Sequence, residues 1–100
     1  MAEQAIVIDP RDSVAVAVVE LAAGDRCPLR VGDETLVVEI RETIPFGHKV
    51  ALREIARGDD VLKYGEVIGA ASAAIHAGEW IHIHNLASKR GKERILEALT

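Results

Sequence analysis

At 100 residues with an apolar fraction of 49%, the chain has the size and composition of one globular domain and not of a disordered segment. Its formal net charge of −4, from 16 acidic and 12 basic residues, argues against nucleic-acid binding, which is usually supported by a basic field. No apolar run approaches the roughly 20 residues of a membrane span, there is no signal-peptide pattern, and Cys27 is the single cysteine, so we expect a cytoplasmic protein without an intrachain disulfide.

Short runs rich in valine and isoleucine predict β-strands along most of the chain. These runs are residues 4–8, 13–20, 34–41, 49–55, 61–64, 67–71 and 79–85. Residues 70–76 are rich in alanine and would also allow a helical turn. Many short strands separated by glycine turns indicate a compact all-β fold over residues 1–88.

A short pattern with a glycine between two apolar anchors occurs four times. The four copies are residues 21–27, 44–50, 55–61 and 75–81, with glycines at positions 24, 47, 58 and 78. Because glycine tolerates positive φ, each copy predicts a tight turn between two strands. The unequal spacing of the glycines excludes a solenoid of fixed repeats.

Residues 89–100 form a basic tail of different character. Apolar residues at helical spacing lie opposite a cluster of bases, which predicts a short amphipathic helix from about Lys92. Such a charge run is typical of a solvated helix face and not of nucleic-acid contact. The apolar side could dock on a partner or support self-association.

The segment 80–85 contains a His-x-His pattern. In a strand, His82 and His84 would project to one side while Ile81 and Ile83 face the core. Two imidazoles on one face are a common start of a transition-metal site, although further ligands must come from elsewhere. The alternative is that both histidines lie on a solvated face.

Two turns offer groups for an anionic ligand. His48 and Lys49 follow Gly47 together, so that the lysine would supply charge and the histidine a proton or a hydrogen bond. Lys63 and Tyr64 precede a glycine at a turn that enters the next strand, where they could face a carboxylate. The alternatives are polar residues at a strand end, a surface lysine and a half-buried packing tyrosine.

Three stretches in register resemble the N-terminal module of altronate and galactarate dehydratases. Residues 44–52 read IPFGHKVAL, residues 61–69 read VLKYGEVIG, and residues 78–85 read GEWIHIHN, close to the family's IPxGHKxAL, KYGxxIG and GxxVHxHN. The opening DSVAVA of residues 12–17 is also similar, and the resemblance extends over roughly residues 5–88. Trp80 and the charged tail depart from the family's pattern.

The resemblance implies an SAF-type β-clip fold and hydro-lyase chemistry on sugar acids. In fused members of this family the module precedes a much larger catalytic domain, whereas other members, including lyases of sulfonated hydroxy acids, consist of a small and a large subunit. We therefore expect this chain to be the small subunit of a lyase that acts on an anionic sugar acid together with a large dehydratase subunit. The alternatives are a stand-alone binding module without turnover and an autonomous small enzyme.

The resemblance also implies roles for the site residues. His48 is expected to take part in proton transfer or leaving-group contact, and Lys49 in neutralising the substrate. His82 and His84 are expected to ligate a divalent metal, Fe²⁺ or alternatively Mn²⁺, shared with the large subunit.

Three further residues are expected to bind the substrate. These are Lys63, Tyr64 and Asn85.

Overall fold

The computed structural model describes residues 3–88, which fold into short antiparallel β-strands. The strands are β1 (Ala5–Ile6), β2 (Val14–Ala17), β3 (Arg26–Val31), β4 (Glu34–Glu39), β5 (Lys49–Ala51), β6 (Asp60–Lys63), β7 (Glu66–Ala71), β8 (Trp80–Ile81) and β9 (Leu86–Ser88). The prediction of a mainly-β fold is confirmed, whereas the predicted C-terminal helix lies outside the described residues. Within residues 3–88, no helix is long and apolar enough to cross a membrane.

The strands form three sheets. A four-stranded sheet has the order β1-β2-β5-β8, β3 and β4 form a hairpin, and a three-stranded sheet has the order β6-β7-β9. The pairing of β5 with β8 joins segments about thirty residues apart, with Lys49 opposite Ile81 and Val50 opposite Trp80. This pairing brings two of the sequence motifs side by side.

The four glycine turns form as predicted. Gly24, Gly47, Gly58 and Gly78 have φ values of 91°, 81°, 89° and 88°. In each turn the N–H after the glycine donates to the carbonyl three residues earlier, as from His48 to Pro45 at 3.1 Å. This bond, with a positive φ at the third residue, is the geometry of a type II turn, which favours glycine.

The turns belong to two similar halves of the fold. Leu21 bridges Ile44 in the first half, and Ile55 bridges Ile75 in the second. Each bridge closes a unit that contains two glycine turns and one hairpin, and each unit packs mainly its own apolar side chains into a core cluster. Strands β2, β5 and β8 contribute to both clusters and so join the halves.

Three expectations for the strands are corrected by the structure. No strand was predicted over residues 26–31, where the structure has β3; its Pro28 is tolerated because β3 pairs with β4 alone, and an edge strand tolerates the missing N–H. The strand predicted for residues 79–85 ends at Ile81. The alanine-rich segment 70–76 forms no helical turn; β7 continues to Ala71, and Ile75 then bridges Ile55.

Candidate functional site

The segment after β8 leaves the sheet in a tight turn that Asn85 holds in place. The Asn85 side chain accepts a hydrogen bond from the His82 N–H at 2.9 Å and donates one to the Trp80 carbonyl at 2.8 Å. Its backbone N–H also donates to the carbonyl of His82, and the residue is buried. Asn85 therefore uses its amide to shape the turn, while its predicted contact with substrate stays a prediction.

The turn changes the surroundings of the His-x-His pattern. Ile83 was expected to face the core, but it is 85% exposed, because residues 82–85 do not continue the strand. His82 is half-buried and His84 is exposed. Strand alternation therefore does not bring the two histidines together.

An indole ring brings three of the histidines together instead. The ring of His82 stacks on Trp80 with centroids 5.4 Å apart and an interplanar angle of 7°, and His84 lies 5.3 Å from the same indole. His48, from the turn before β5, lies 5.5 Å from Trp80 and 4.9 Å from His82. We call these four residues, His48, Trp80, His82 and His84, the ring cluster.

His48 and Trp80 are also joined by a hydrogen bond. The indole Nε1–H of Trp80 donates to Nδ1 of His48 at 3.1 Å. Trp80 is fixed at its backbone as well, because its N–H donates to the Glu42 carboxylate at 3.1 Å and its carbonyl accepts from Asn85. The position of the His48 ring is therefore set by Trp80, whose backbone N–H and carbonyl are both held by hydrogen bonds.

Lys49 lies on the other face of strand β5. Along a strand successive side chains alternate, so His48 and Val50 share the face of Trp80, whereas Lys49 shares the face of Ile81. The structure thus separates His48 from Lys49, which the sequence had placed together. The separation leaves Lys49 to interact with charges from another strand.

Lys49 and Lys63 form a pair of cations, which we call the lysine pair. Burial, together with the positive charge of Lys63, lowers the pKa of Lys49 below its ordinary value. Within residues 3–88 neither ammonium has a carboxylate at ion-pair distance. An anionic ligand that approached this pair would relieve the repulsion between the two charges.

Tyr64 lies at the tip of the β6–β7 hairpin. Tyr64 and Gly65 have φ values of 57° and 74°, as in a type I′ turn, and the Gly65 N–H donates to the buried carboxylate of Asp12 at 2.8 Å. The Lys63 ammonium lies 4.8 Å from the centre of the Tyr64 ring. Because Tyr64 is 56% exposed, it does not serve as a packing residue in this chain.

The described residues do not by themselves fit a metal site. No group of three or more histidine, cysteine, aspartate or glutamate side chains within residues 3–88 converges so as to hold a cation. In addition, the Nδ1 lone pair of His48 is occupied by Trp80. His82 and His84 could contact a metal only if other ligands came from outside this part of the chain.

The ring cluster lies apart from a cleft beside β4. That cleft, of about 680 Å³, is lined by residues around β4, among them Leu36, Arg41 and Glu54, and by none of the histidines. Exposed apolar side chains lie next to the ring cluster in sequence: Phe46 is 71% exposed and Ile83 is 85% exposed. The cluster therefore belongs to an open surface with apolar residues beside it.

Sequence reasoning missed the central role of Trp80. The residue was noted only as a departure from the family's pattern and was given no role, although it is the only tryptophan of the chain. The available signal was its place beside the His-x-His motif, since a buried or half-buried indole usually finds an acceptor for its N–H.

The sequence is similar to several characterised proteins. It is 41% identical over 88 residues to (2R)-sulfolactate sulfo-lyase subunit alpha of Chromohalobacter salexigens, and the alignment covers 85% of this chain and 94% of that protein. It is 44% identical over 82 residues to altronate dehydratase of Escherichia coli, covering 82% of this chain but 16% of that protein. Galactarate dehydratase (L-threo-forming) of Escherichia coli is 42% identical over 78 residues, covering 76% of this chain and 14% of that protein.

The chain thus spans nearly the whole of one relative and about one seventh of the two dehydratases. Residues 3–89 also match the family described as the altronate/galactarate dehydratase SAF domain. That match includes the glycine turns, the ring cluster and the lysine pair. The chain belongs to the family of SAF domains of altronate and galactarate dehydratases.

Proposed function

We propose that this chain is the small subunit of a two-chain lyase that eliminates water from an anionic sugar acid, such as altronate or galactarate, or acts on a related hydroxy acid. The observation that carries the proposal is the open surface on which the ring cluster lies. A reaction that expels a hydroxyl and removes a proton needs an enclosed site that excludes water. Another chain would have to provide that enclosure.

The alignment lengths support a two-chain arrangement. The alpha subunit of the sulfo-lyase is matched over 94% of its length, so a protein of about this size is named as one subunit of a lyase. The dehydratases are matched over 16% and 14% of their length, so most of each of those chains has no counterpart here. We propose that a separate large dehydratase subunit corresponds to the remaining, unmatched part of those dehydratases.

The exposed apolar residues beside the ring cluster support a docking surface at that place. Phe46 lies two residues before His48, and Ile83 lies between His82 and His84. Contiguous exposed apolar surface marks interaction sites, and in this proposal Phe46 and Ile83 belong to one such patch. Burial of both against the large subunit would exclude water from the histidines.

The charges support an anionic substrate. The ammonium groups of the lysine pair have no carboxylate partner within residues 3–88, and Lys49 is partly desolvated. We propose that Lys49 and Lys63 attract the substrate carboxylate, with Tyr64 beside them. We propose that a divalent cation, Fe²⁺ or Mn²⁺, is held chiefly by side chains of the large subunit. His82 and His84 would lie next to it.

The test is reconstitution of the two-chain enzyme. The tagged chain is purified from its native host, and a co-purifying chain is identified by mass spectrometry as the remainder of a dehydratase. The complex and each separate chain are then assayed with altronate, galactarate and sulfolactate. Turnover by the complex alone supports the proposal. A chain that purifies alone and binds a sugar acid without turnover would support a stand-alone binding module.

A matched pair of variants tests the docking surface. The double substitution Phe46→Ser and Ile83→Ser is expected to weaken the complex, because both apolar side chains would lose their burial. The control is Ile8→Ser, which removes another apolar side chain, 61% exposed, from a segment outside the ring cluster. Equal affinities of the two variants for the large subunit would place the interface elsewhere.

A further inference from the structure

The hydrogen bond between Trp80 and His48 determines which nitrogen of His48 carries a hydrogen. An indole Nε1–H is a donor only, so Nδ1 of His48 must accept with its lone pair. The neutral imidazole then carries its hydrogen on Nε2. Protonation of Nδ1 would break the bond from Trp80 and set two N–H groups against each other.

The Nε2–H of His48 is open to a ligand. No residue within 3–88 accepts a hydrogen bond from it, and every buried side-chain nitrogen or oxygen in that part of the chain has a partner. An unpartnered Nε2 on a half-buried residue is therefore accessible from outside. A group of this kind donates to an oxygen atom and offers no lone pair.

Trp80 is held firmly enough to keep this arrangement. Its backbone is bound by Glu42 and Asn85, its strand pairs with β5, and its ring is stacked against His82. The indole therefore presents its N–H to His48 before any ligand arrives. Such preorganised donors are most effective where negative charge develops during a reaction.

We propose that Trp80 is a positioning residue that keeps Nδ1 of His48 as an acceptor, so that His48 donates a hydrogen bond through Nε2–H to an anionic oxygen of the substrate. In this arrangement His48 is neither a metal ligand nor a base, because its one lone pair is bound to Trp80. The substrate part of this inference rests on the proposed lyase function. The assignment of the tautomer does not.

The tautomer is tested by NMR on the full-length chain labelled with ¹⁵N, at a pH where histidine is neutral. We expect an unprotonated shift for Nδ1 of His48, a protonated shift for Nε2, and a ¹⁵N–¹⁵N coupling across the hydrogen bond from Trp80. Trp80→Phe keeps an aromatic ring against His82 and removes the donor, so the coupling is lost and both tautomers are populated. Tyr64→Phe is the control and leaves the spectrum of His48 unchanged.

The inference is overturned if Nδ1 of His48 is protonated in the unmodified chain. It is also overturned if the populations of the two tautomers are the same in Trp80→Phe as in the unmodified chain. These outcomes do not depend on whether the protein is a lyase. A spectrum as expected with no turnover of any tested acid would instead count against the proposed function and leave the role of Trp80 standing.

The donor role is tested by kinetics of the two-chain complex. A glutamine side chain places an N–H close to the position of the imidazole Nε2, so His48→Gln is expected to keep kcat within about tenfold, whereas His48→Ala lowers kcat by about 10² to 10³ as for other lost oxyanion donors. Equal losses in both variants would show that His48 transfers a proton or binds a metal, and the inference would be wrong.

Discussion

Replacement of Asn85 by alanine is expected to destabilise the protein through two backbone groups. The substitution leaves the His82 N–H and the Trp80 carbonyl without their side-chain partner, in a place where Asn85 is only 8% exposed. Each unsatisfied buried polar group costs about 1–3 kcal/mol, so for two such groups the free energy of unfolding should fall by about 2–6 kcal/mol. For a domain of this size, that loss lowers Tm by about 10 °C or more.

The loss is measured by urea denaturation followed in parallel by circular dichroism and by fluorescence. Because Trp80 is the only tryptophan, its emission reports on the ring cluster, whereas circular dichroism reports on the sheets. Thr43→Ala, at an exposed position, is the control and should change the free energy by less than about 0.5 kcal/mol. If Asn85→Ala were as stable as this control, Asn85 would not hold the turn, and its amide would be free for substrate.

Two further predictions concern the glycine turns and the lysine pair. In urea denaturation, Gly78→Ala should lower the free energy of unfolding by about 1–3 kcal/mol more than Gly24→Ala does. Both glycines have positive φ, but only at Gly78 would the new Cβ overlap a backbone oxygen, that of Glu39. Equal losses of stability in the two variants would contradict this reasoning. Lys63→Met should raise the pKa of Lys49, measured by ¹³C NMR titration of its Cε. That pKa should remain below its ordinary value because burial, the larger cause, is unchanged, and an unaltered pKa would show that the two ammonium groups do not interact.

Much of the fold was predictable because local backbone chemistry determines it. Each glycine turn needs a residue with positive φ between two apolar anchors, and Gly24, Gly47, Gly58 and Gly78 all meet that need. The mainly-β class followed from the same pattern together with the valine-rich runs. Strand β3 was not among the predicted strands; its Pro28 is tolerated because β3 has β4 as its one neighbour in the sheet, which is a property of the tertiary structure.

The sequence predicted which residues belong to the candidate site but not how they are arranged. The three motifs around His48, Lys63 and His82 are visible in the sequence and carry the resemblance to the dehydratase family. Their grouping was not visible, since strand alternation was expected to pair His82 with His84 and the turn was expected to pair His48 with Lys49. In the fold the ring of Trp80, and not strand alternation, brings His82 and His84 together, and Lys49 lies on the face of β5 opposite to His48.

The sequence by itself determined the turn positions, the strand-rich class and the family, because these depend on residue types at short spacing. The tertiary structure decided that β8 ends at Ile81, where the Asn85 amide bonds the His82 N–H and the Trp80 carbonyl in a tight turn. It also decided that His48 meets Trp80, because β5 and β8 are neighbours in one sheet although they lie far apart in the chain. Hydrophobic spacing specifies which side chains are buried, but hydrogen bonds between distant polar groups arise only once the sheets have packed.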